Sequence, residues 1–299
     1  MNEITADPYY SRTSDSWQAA PRLDPTTSDA PGPLTTDEVW NYAHSGFLFA
    51  QGLFTQEEID ELLAEANSLS ENWPADRPGI VREPGTDVVR SIFRLHKISK
   101  RYEQLFSDER LIGRVRQLLG ADVYIHQSRV NYKPALNGKE FFWHSDFETW
   151  HVEDGLPRMR TVSCSLLLDE NYEFNAPLML LPGSHRQYVT CIGEAPANHY
   201  QSSLKQQKFG VPDPDSLTRL VNEHGITQAT GPAGSLLLFD CNTMHGSNGN
   251  ITPFPRSNLF FVYNSIWNQL VRPFCHQKPR PEFIASREFS STMKPREFI

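Results

Sequence analysis

From about residue 121 the chain becomes a series of short β-like runs cut by Pro, Gly and Asn. Candidate strands span 122–133, 141–147, 160–169, 177–181, 226–229, 235–239 and 257–266. Many short strands after a helical start constrain the fold to an antiparallel sandwich or jelly roll backed by helices. No internal repeat is evident.

The helical start is marked by its caps. Thr35-Thr36-Asp37-Glu38 and Thr55-Gln56-Glu57-Glu58 both fit the capping box, in which a Thr hydroxyl and a Glu carboxylate satisfy orphan amides reciprocally. The second helix carries Ile59, Leu62, Leu63 and Ala66 at helical spacing. A third runs from about Ser107 through Leu111, Ile112, Val115, Leu118 and Leu119 to Gly120, its expected C-terminal cap. These stripes predict core-facing scaffold. Residues 1–34, rich in Pro, Ser, Thr and Asp, read as a flexible or wrapping N-terminal arm with Tyr9, Tyr10 and Trp17 as its candidate anchors. Residues 35–299 read as a single domain, long enough for a sizeable core.

Charge and cysteine use narrow the function. The net charge is -8 with no run of Lys or Arg, against the basic footprint of a nucleic-acid binder. No apolar run approaches the roughly 18 residues of a membrane span, and the N-terminus lacks the features of a signal peptide. Cys164, Cys191, Cys241 and Cys275 are far apart without a Cys-x-x-Cys, so they read as reduced thiols of a cytoplasmic protein.

The chemistry centres on Trp143-His144-Ser145-Asp146-Phe147, with His245 and Arg256 downstream. On a strand, His144 and Asp146 project from one face. His245 follows the apolar run 235–239, so a loop past a strand end would deliver it as a third ligand. Two His and one carboxylate on one face of a metal suit a non-haem Fe(II) centre. Zinc also accepts such a set, but no general-base partner of the His-Glu-x-x-His kind is present. Glu148, His151, Glu153 and Asp154 compete in sequence but offer no better triad.

Neighbouring residues predict a pocket. Arg256 precedes the apolar strand 257–266, so it is expected at the barrel mouth, where a buried guanidinium needs an anion such as a dicarboxylate. One face of 123–133 reads Val123, Ile125, Gln127, Arg129, Asn131, Lys133. It is either the solvated face of an edge strand or the wall of a wet pocket. Phe141, Phe142, Trp143, Phe147 and Trp150 supply core or an aromatic enclosure suited to a cationic or delocalised ring. His185 reads as structural, and the polar stretch from about 192 to 222 as a candidate lid.

Together, His144-x-Asp146, His245, Arg256 and Asn175-Ala-Pro-Leu-Met-Leu-Leu-Pro-Gly-Ser-His185 resemble the phytanoyl-CoA dioxygenase superfamily of Fe(II)/2-oxoglutarate oxygenases. The block Phe141-Phe-Trp-His-Ser-Asp-Phe-Glu-Thr-Trp-His-Val-Glu-Asp-Gly-Leu-Pro-Arg-Met-Arg160 is similar to the signature of ectoine hydroxylases, and the resemblance covers roughly residues 35 to 290. It implies a mainly β fold with flanking helices, a double-stranded β-helix (cupin-like jelly roll), in a cytoplasmic homodimer. The implied reaction converts ectoine, 2-oxoglutarate and O2 into 5-hydroxyectoine, succinate and CO2, in protection against osmotic or thermal stress. By resemblance His144, Asp146 and His245 hold the iron, Lys133 and Arg256 hold 2-oxoglutarate, and Gln127 and Trp150 contact ectoine. Face parity alone adds Asn131 to the cosubstrate set and Arg129 and Phe142 to the substrate set. A related hydroxylase of another small amino-acid derivative or an acyl-CoA, and a non-enzymatic cupin that binds a solute or metal, are the alternatives.

Overall fold

The computed structural model describes residues 7–12, 18–74, 77–194, 196–204 and 209–289. Two antiparallel sheets form the frame. The larger has seven strands, in spatial order Phe47–Ala50, Leu236–Asp240, Thr161–Leu167, Arg256–Ser265, Val123–Lys133, Val89–Phe93 and Ile80–Arg82. The smaller has four, in order Thr227–Gln228, Met179–Leu180, His245–Ser247 and Phe141–His144.

Side-chain alternation on the strand Leu236–Asp240 shows how the layers stack. Leu236 and Leu238 join Ile59, Leu62, Leu111 and Leu118 in a core between the large sheet and the helices. Leu237 and Phe239 point the other way, into a cluster with Leu178, Leu180 and Phe260 between the two sheets. This is the helix-backed antiparallel jelly roll that the strand pattern predicts. Both faces of the large sheet are covered, so its strands Thr161–Leu167, Leu236–Asp240 and Arg256–Ser265 are buried along their whole length.

The helices Thr36–Ser45 and Gln56–Glu71 start with the expected capping boxes at Thr35 and Thr55. Ile59, Leu62 and Ala66 are fully buried, each of the larger two contributing about 1.5–3 kcal/mol of transfer free energy. The helix Glu109–Leu119 is capped by Asp108, whose carboxylate accepts from the Arg110 amide, so it starts two residues after Ser107. Gly120 closes it in the left-handed conformation at φ 62°.

Three expectations are corrected. The candidate strand 141–147 stops at His144, because Ser145 caps a short helix Asp146–Thr149, which runs on into a π-helical turn Trp150–Asp154. The stretch 192–222 is not all loop: it contains the helix Tyr200–Ser203, and most of Pro214–His224, capped by Asp213 with Pro214 in the first turn. The strands at 47–50, 80–82, 89–93, 187–189 and 245–247 were not anticipated; all are five residues or fewer.

The described part of the N-terminal segment packs on the barrel. Tyr9 is buried edge-on against Phe147 and Tyr188, with ring centroids 5.1 and 5.2 Å away. Ala19–Pro21 pairs with Gln187–Val189 as a separate two-stranded sheet. Tyr10 is exposed, and Trp17 lies outside the described residues.

Candidate active site

His144 ends its strand, Asp146 opens the following helix, and His245 begins the adjacent strand directly opposite His144. The chain reversal at Ser145, rather than a shared strand face, brings the carboxylate beside the imidazoles. One ligand atom from each residue lies within 4.8 Å of the others. His144 Nε2 is 3.7 Å from Asp146 Oδ1, and His245 Nε2 is 3.9 Å from Asp146 Oδ2.

The imidazoles are pre-set for coordination. His144 Nδ1 donates to the Phe142 carbonyl at 2.7 Å and His245 Nδ1 to the Thr243 carbonyl at 2.9 Å, which fixes the tautomer and leaves both Nε2 lone pairs free. Ser163 Oγ donates to Asp146 Oδ2 at 3.2 Å. Burial, with His245 alongside, pushes the His144 imidazole down to about 4, so it is neutral at physiological pH. Two imidazoles presenting Nε2 and one carboxylate on one side, with space opposite, fit a divalent iron that must keep positions open.

That space lies between the sheets. Gln127, Arg129, Asn131, Arg256 and Phe260 line it from the large sheet. The polar wall has a structural origin that alternation alone conceals. The ladder between 123–133 and 256–265 skips a residue: Val262 faces Gln127 while Tyr263 faces Ile125. His126 is therefore a β-bulge, and the side-chain parity flips there. Val123 and Ile125 belong to the helix-side core, whereas Gln127, Arg129 and Asn131 face the pocket. The face read from sequence as one stripe is two different faces joined at the bulge.

A second bulge corrects Phe142. His245 opposes His144 but Ser247 opposes Phe141, so two residues of one strand face Gly246 of the other. Phe141 consequently lines the pocket, while Phe142 is 42% exposed and contributes only its carbonyl to His144. Trp150 lines the pocket from the π-helical turn, its ring edge-on to His126 at 5.2 Å.

The cationic residues differ in their partners. Arg129 donates to Gln127 Oε1, and Gln127 Nε2 donates to the Ile284 carbonyl at 2.7 Å. Burial lowers the affinity of the Arg129 guanidinium for its proton, against the pull of Asp146. Arg256 is buried with its Nε unpartnered, and burial, opposed by Asp169, brings it down to about 10. Lys133 stands behind the pocket wall: Nζ donates to the Lys139 carbonyl at 2.5 Å, the Asn248 carbonyl at 3.0 Å and Ser247 Oγ at 3.1 Å, and Ser247 itself lines the pocket. Burial, then Arg256 and Arg90, push its ammonium down to about 6.

Sequence reasoning missed Thr149, Ser203, Leu204 and Arg280, which also line the pocket. Arg280 comes from an irregular Pro-flanked stretch that carries no pattern of its own. The only signal was its partner, Asp154, inside the conspicuous block. The other acidic neighbours are engaged elsewhere: Glu148 and Glu153 with Arg12, and Asp7 rather than a metal holds His151 Nε2, at 2.8 Å. His185 is buried with Nε2 on the Ala43 carbonyl at 3.2 Å, away from the triad.

The family model for phytanoyl-CoA dioxygenase matches residues 42–258, a span that takes in all three triad residues and Arg256. The chain belongs to the phytanoyl-CoA dioxygenase family. Within that family, a protein named ectoine dioxygenase from Bordetella parapertussis is 51% identical over 301 residues, covering 97% of this chain and 95% of its own length. Among solved structures, EctD from S. alaskensis with 2-oxoglutarate and 5-hydroxyectoine superposes with a TM-score of 0.89 at 44% identity, covering 98% of this chain and 99% of the other. The same protein with bound Fe gives a TM-score of 0.87 at 44% identity, with the same coverage of each chain.

Proposed function

We propose that this chain is an ectoine dioxygenase: it hydroxylates ectoine to 5-hydroxyectoine while 2-oxoglutarate is oxidatively decarboxylated to succinate and CO2 with O2. The observation that carries the reading is the convergence of His144, Asp146 and His245 on one point in a pocket lined by three guanidiniums, in a chain half identical to ectoine dioxygenases along nearly its whole length.

His144 Nε2, His245 Nε2 and Asp146 hold the iron. Bound there, iron supplies oxygen activation coupled to decarboxylation of the 2-oxo acid. Arg256 receives the far carboxylate of 2-oxoglutarate; its buried Nε has no competing partner, and such a bidentate charged contact is among the strongest a side chain offers. Lys133 supports that end through Ser247, with Asn131 beside it on the cosubstrate wall. Gln127, Arg129 and Arg280 donate to the carboxylate of ectoine, and Trp150 covers its delocalised cationic ring. Phe260 and Leu178 keep water from the reacting C–H, so the position attacked follows from how these groups place the ring.

The protein acts as a cytoplasmic homodimer in this reading. Buried free thiols at Cys164, Cys191 and Cys241 support a reducing compartment, and no helix among the described residues is long and apolar enough to cross a membrane. The exposed apolar side chains Leu136, Phe174, Ile251 and Phe254 offer surface for self-association.

A substrate panel tests the assignment. With Fe(II), 2-oxoglutarate and air, ectoine should give a product with one added oxygen, while other small amino-acid derivatives and acyl-CoA thioesters should remain unchanged. Hydroxylation of another panel member in preference to ectoine would overturn the substrate. Tight iron binding with no turnover of any member would favour a binding protein.

A further inference from the structure

We propose that a buried ion cluster centred on Glu153 is a clasp that fastens the segment 196–204 against the pocket, making Arg12, Glu153 and His199 positioning residues for substrate binding. The kinetic consequence rests on the functional reading above, whereas the clasp itself does not.

Ser203 and Leu204 are pocket wall, yet little apolar burial holds them in place. The helix that carries Ser203, Tyr200–Ser203, is four residues long and buries none of its side chains. So short a helix has no stability of its own. The fixed point is the residue before it. His199 is buried, and its Nδ1 donates to Glu153 Oε1 at 2.7 Å.

The same carboxylate oxygen accepts from Arg12 Nη1 at 2.6 Å. Arg12 also forks onto Glu148, with Nε to Oε1 at 2.9 Å and Nη2 to Oε2 at 2.7 Å, and Ser11 Oγ donates to Glu148 Oε1 at 2.7 Å. Three chain segments far apart in sequence thus meet on two carboxylates. Both carboxylates belong to the helical stretch 146–154, which also presents Asp146, Thr149 and Trp150 to the pocket.

The chain returns to this cluster at Phe209 and Gly210. The His199 and Phe209 rings meet edge to face, with centroids 5.3 Å apart. Gly210 adopts φ +72° and lies so close that a Cβ there would stand 2.6 Å from Glu148 Oε2 and 2.7 Å from Arg12 Nη2. His199, Phe209 and Gly210 therefore converge on one buried ion cluster. Removing His199 leaves Arg12 paired with both glutamates, so the cover is released without orphaning a buried charge. A cover that is open part of the time lowers apparent substrate affinity by the fraction of time it is closed.

The test compares His199→Ala, His199→Asn and Gly210→Ala with the full-length wild type, in steady-state kinetics with Fe(II), 2-oxoglutarate and ectoine and in limited proteolysis without ligands. His199→Ala should raise the ectoine KM about tenfold, equivalent to about 1.4 kcal/mol, with kcat changed less than about twofold. Proteolysis within 196–204 should accelerate in the same variant. His199→Asn, whose amide can still donate to Glu153, should restore both values, and Gly210→Ala should resemble His199→Ala. Wild-type KM and cleavage rate in His199→Ala would overturn the clasp, as would a fall in kcat with a lowered melting temperature and unchanged KM. If wild type does not turn over ectoine, the functional reading fails, and the cleavage rates still decide the clasp.

Discussion

Asp154 grips Arg280 side-on, its two carboxylate oxygens accepting from Nε at 2.7 Å and Nη2 at 2.5 Å, with both side chains buried. Burial works to raise the Asp154 carboxyl, but Arg280 beside it prevails and holds it down at about 2. The pair lets a residue of the conspicuous 141–160 block aim a guanidinium from the far C-terminal stretch into the pocket.

Asp154→Asn keeps the shape and removes the charge, leaving buried Arg280 without its bidentate partner. Breaking a buried pair in this way costs about 3–5 kcal/mol, measurable as a shift in urea unfolding. The ectoine KM should rise in parallel, because Arg280 loses the contact that orients it. A variant with wild-type stability and KM would remove Asp154 from the account.

Glu153 makes stability depend on acid. Burial tends to raise its carboxyl, but His199, Arg280 and Arg12 outweigh burial and bring it from 4.5 to about 2 in the folded protein. A carboxylate depressed on folding stabilises fully above its unfolded value, and that stability is lost as pH falls through its folded value. The stability difference between wild type and Glu153→Gln should therefore be flat above about pH 4.5, on the order of 3 kcal/mol, and shrink towards pH 2. Urea unfolding across that range checks it; a difference independent of pH would contradict it.

Arg256 should set the affinity for 2-oxoglutarate. Arg256→Ala removes charge-assisted hydrogen bonds worth about 1.5–3 kcal/mol, so the 2-oxoglutarate KM should rise by roughly 10- to 150-fold. Arg256→Lys should recover only part of this, since an ammonium cannot reproduce the planar fork. The ectoine KM, measured at saturating 2-oxoglutarate, should change much less. An equal rise in both KM values would argue that Arg256 serves the pocket as a whole.

His245→Ala should lose iron on desalting while keeping its far-ultraviolet circular dichroism, because His245 holds its neighbours through its backbone in the His245–Ser247 strand. Iron retained at the wild-type level would displace it from the ligand set.

Much of this was legible in the chain, for identifiable reasons. The capping boxes at Thr35 and Thr55 are local chemistry, and they start the helices they mark. The strand Arg256–Ser265 was visible because its middle, Leu259 to Tyr263, is apolar on both faces. Alternation failed where the backbone departs from regular pleating. The bulge at His126 joins two faces that read as one, the irregularity opposite Gly246 exchanges Phe142 for Phe141, and the helix at Asp146 replaces an extended strand. Each departure depends on a partner strand or a cap that local periodicity does not encode. Arg280 and the Arg12 cluster were hidden for another reason: their partners are more than 100 residues away, and nothing local announces them.

The most direct test is a single turnover reaction of the iron-loaded protein with ectoine and 2-oxoglutarate under isotopically heavy dioxygen, analysed by mass spectrometry. The account predicts hydroxyectoine and succinate in equal amounts, each carrying one heavy oxygen atom. Succinate formed beside unmodified ectoine, or neither product from folded, iron-loaded protein, would contradict it.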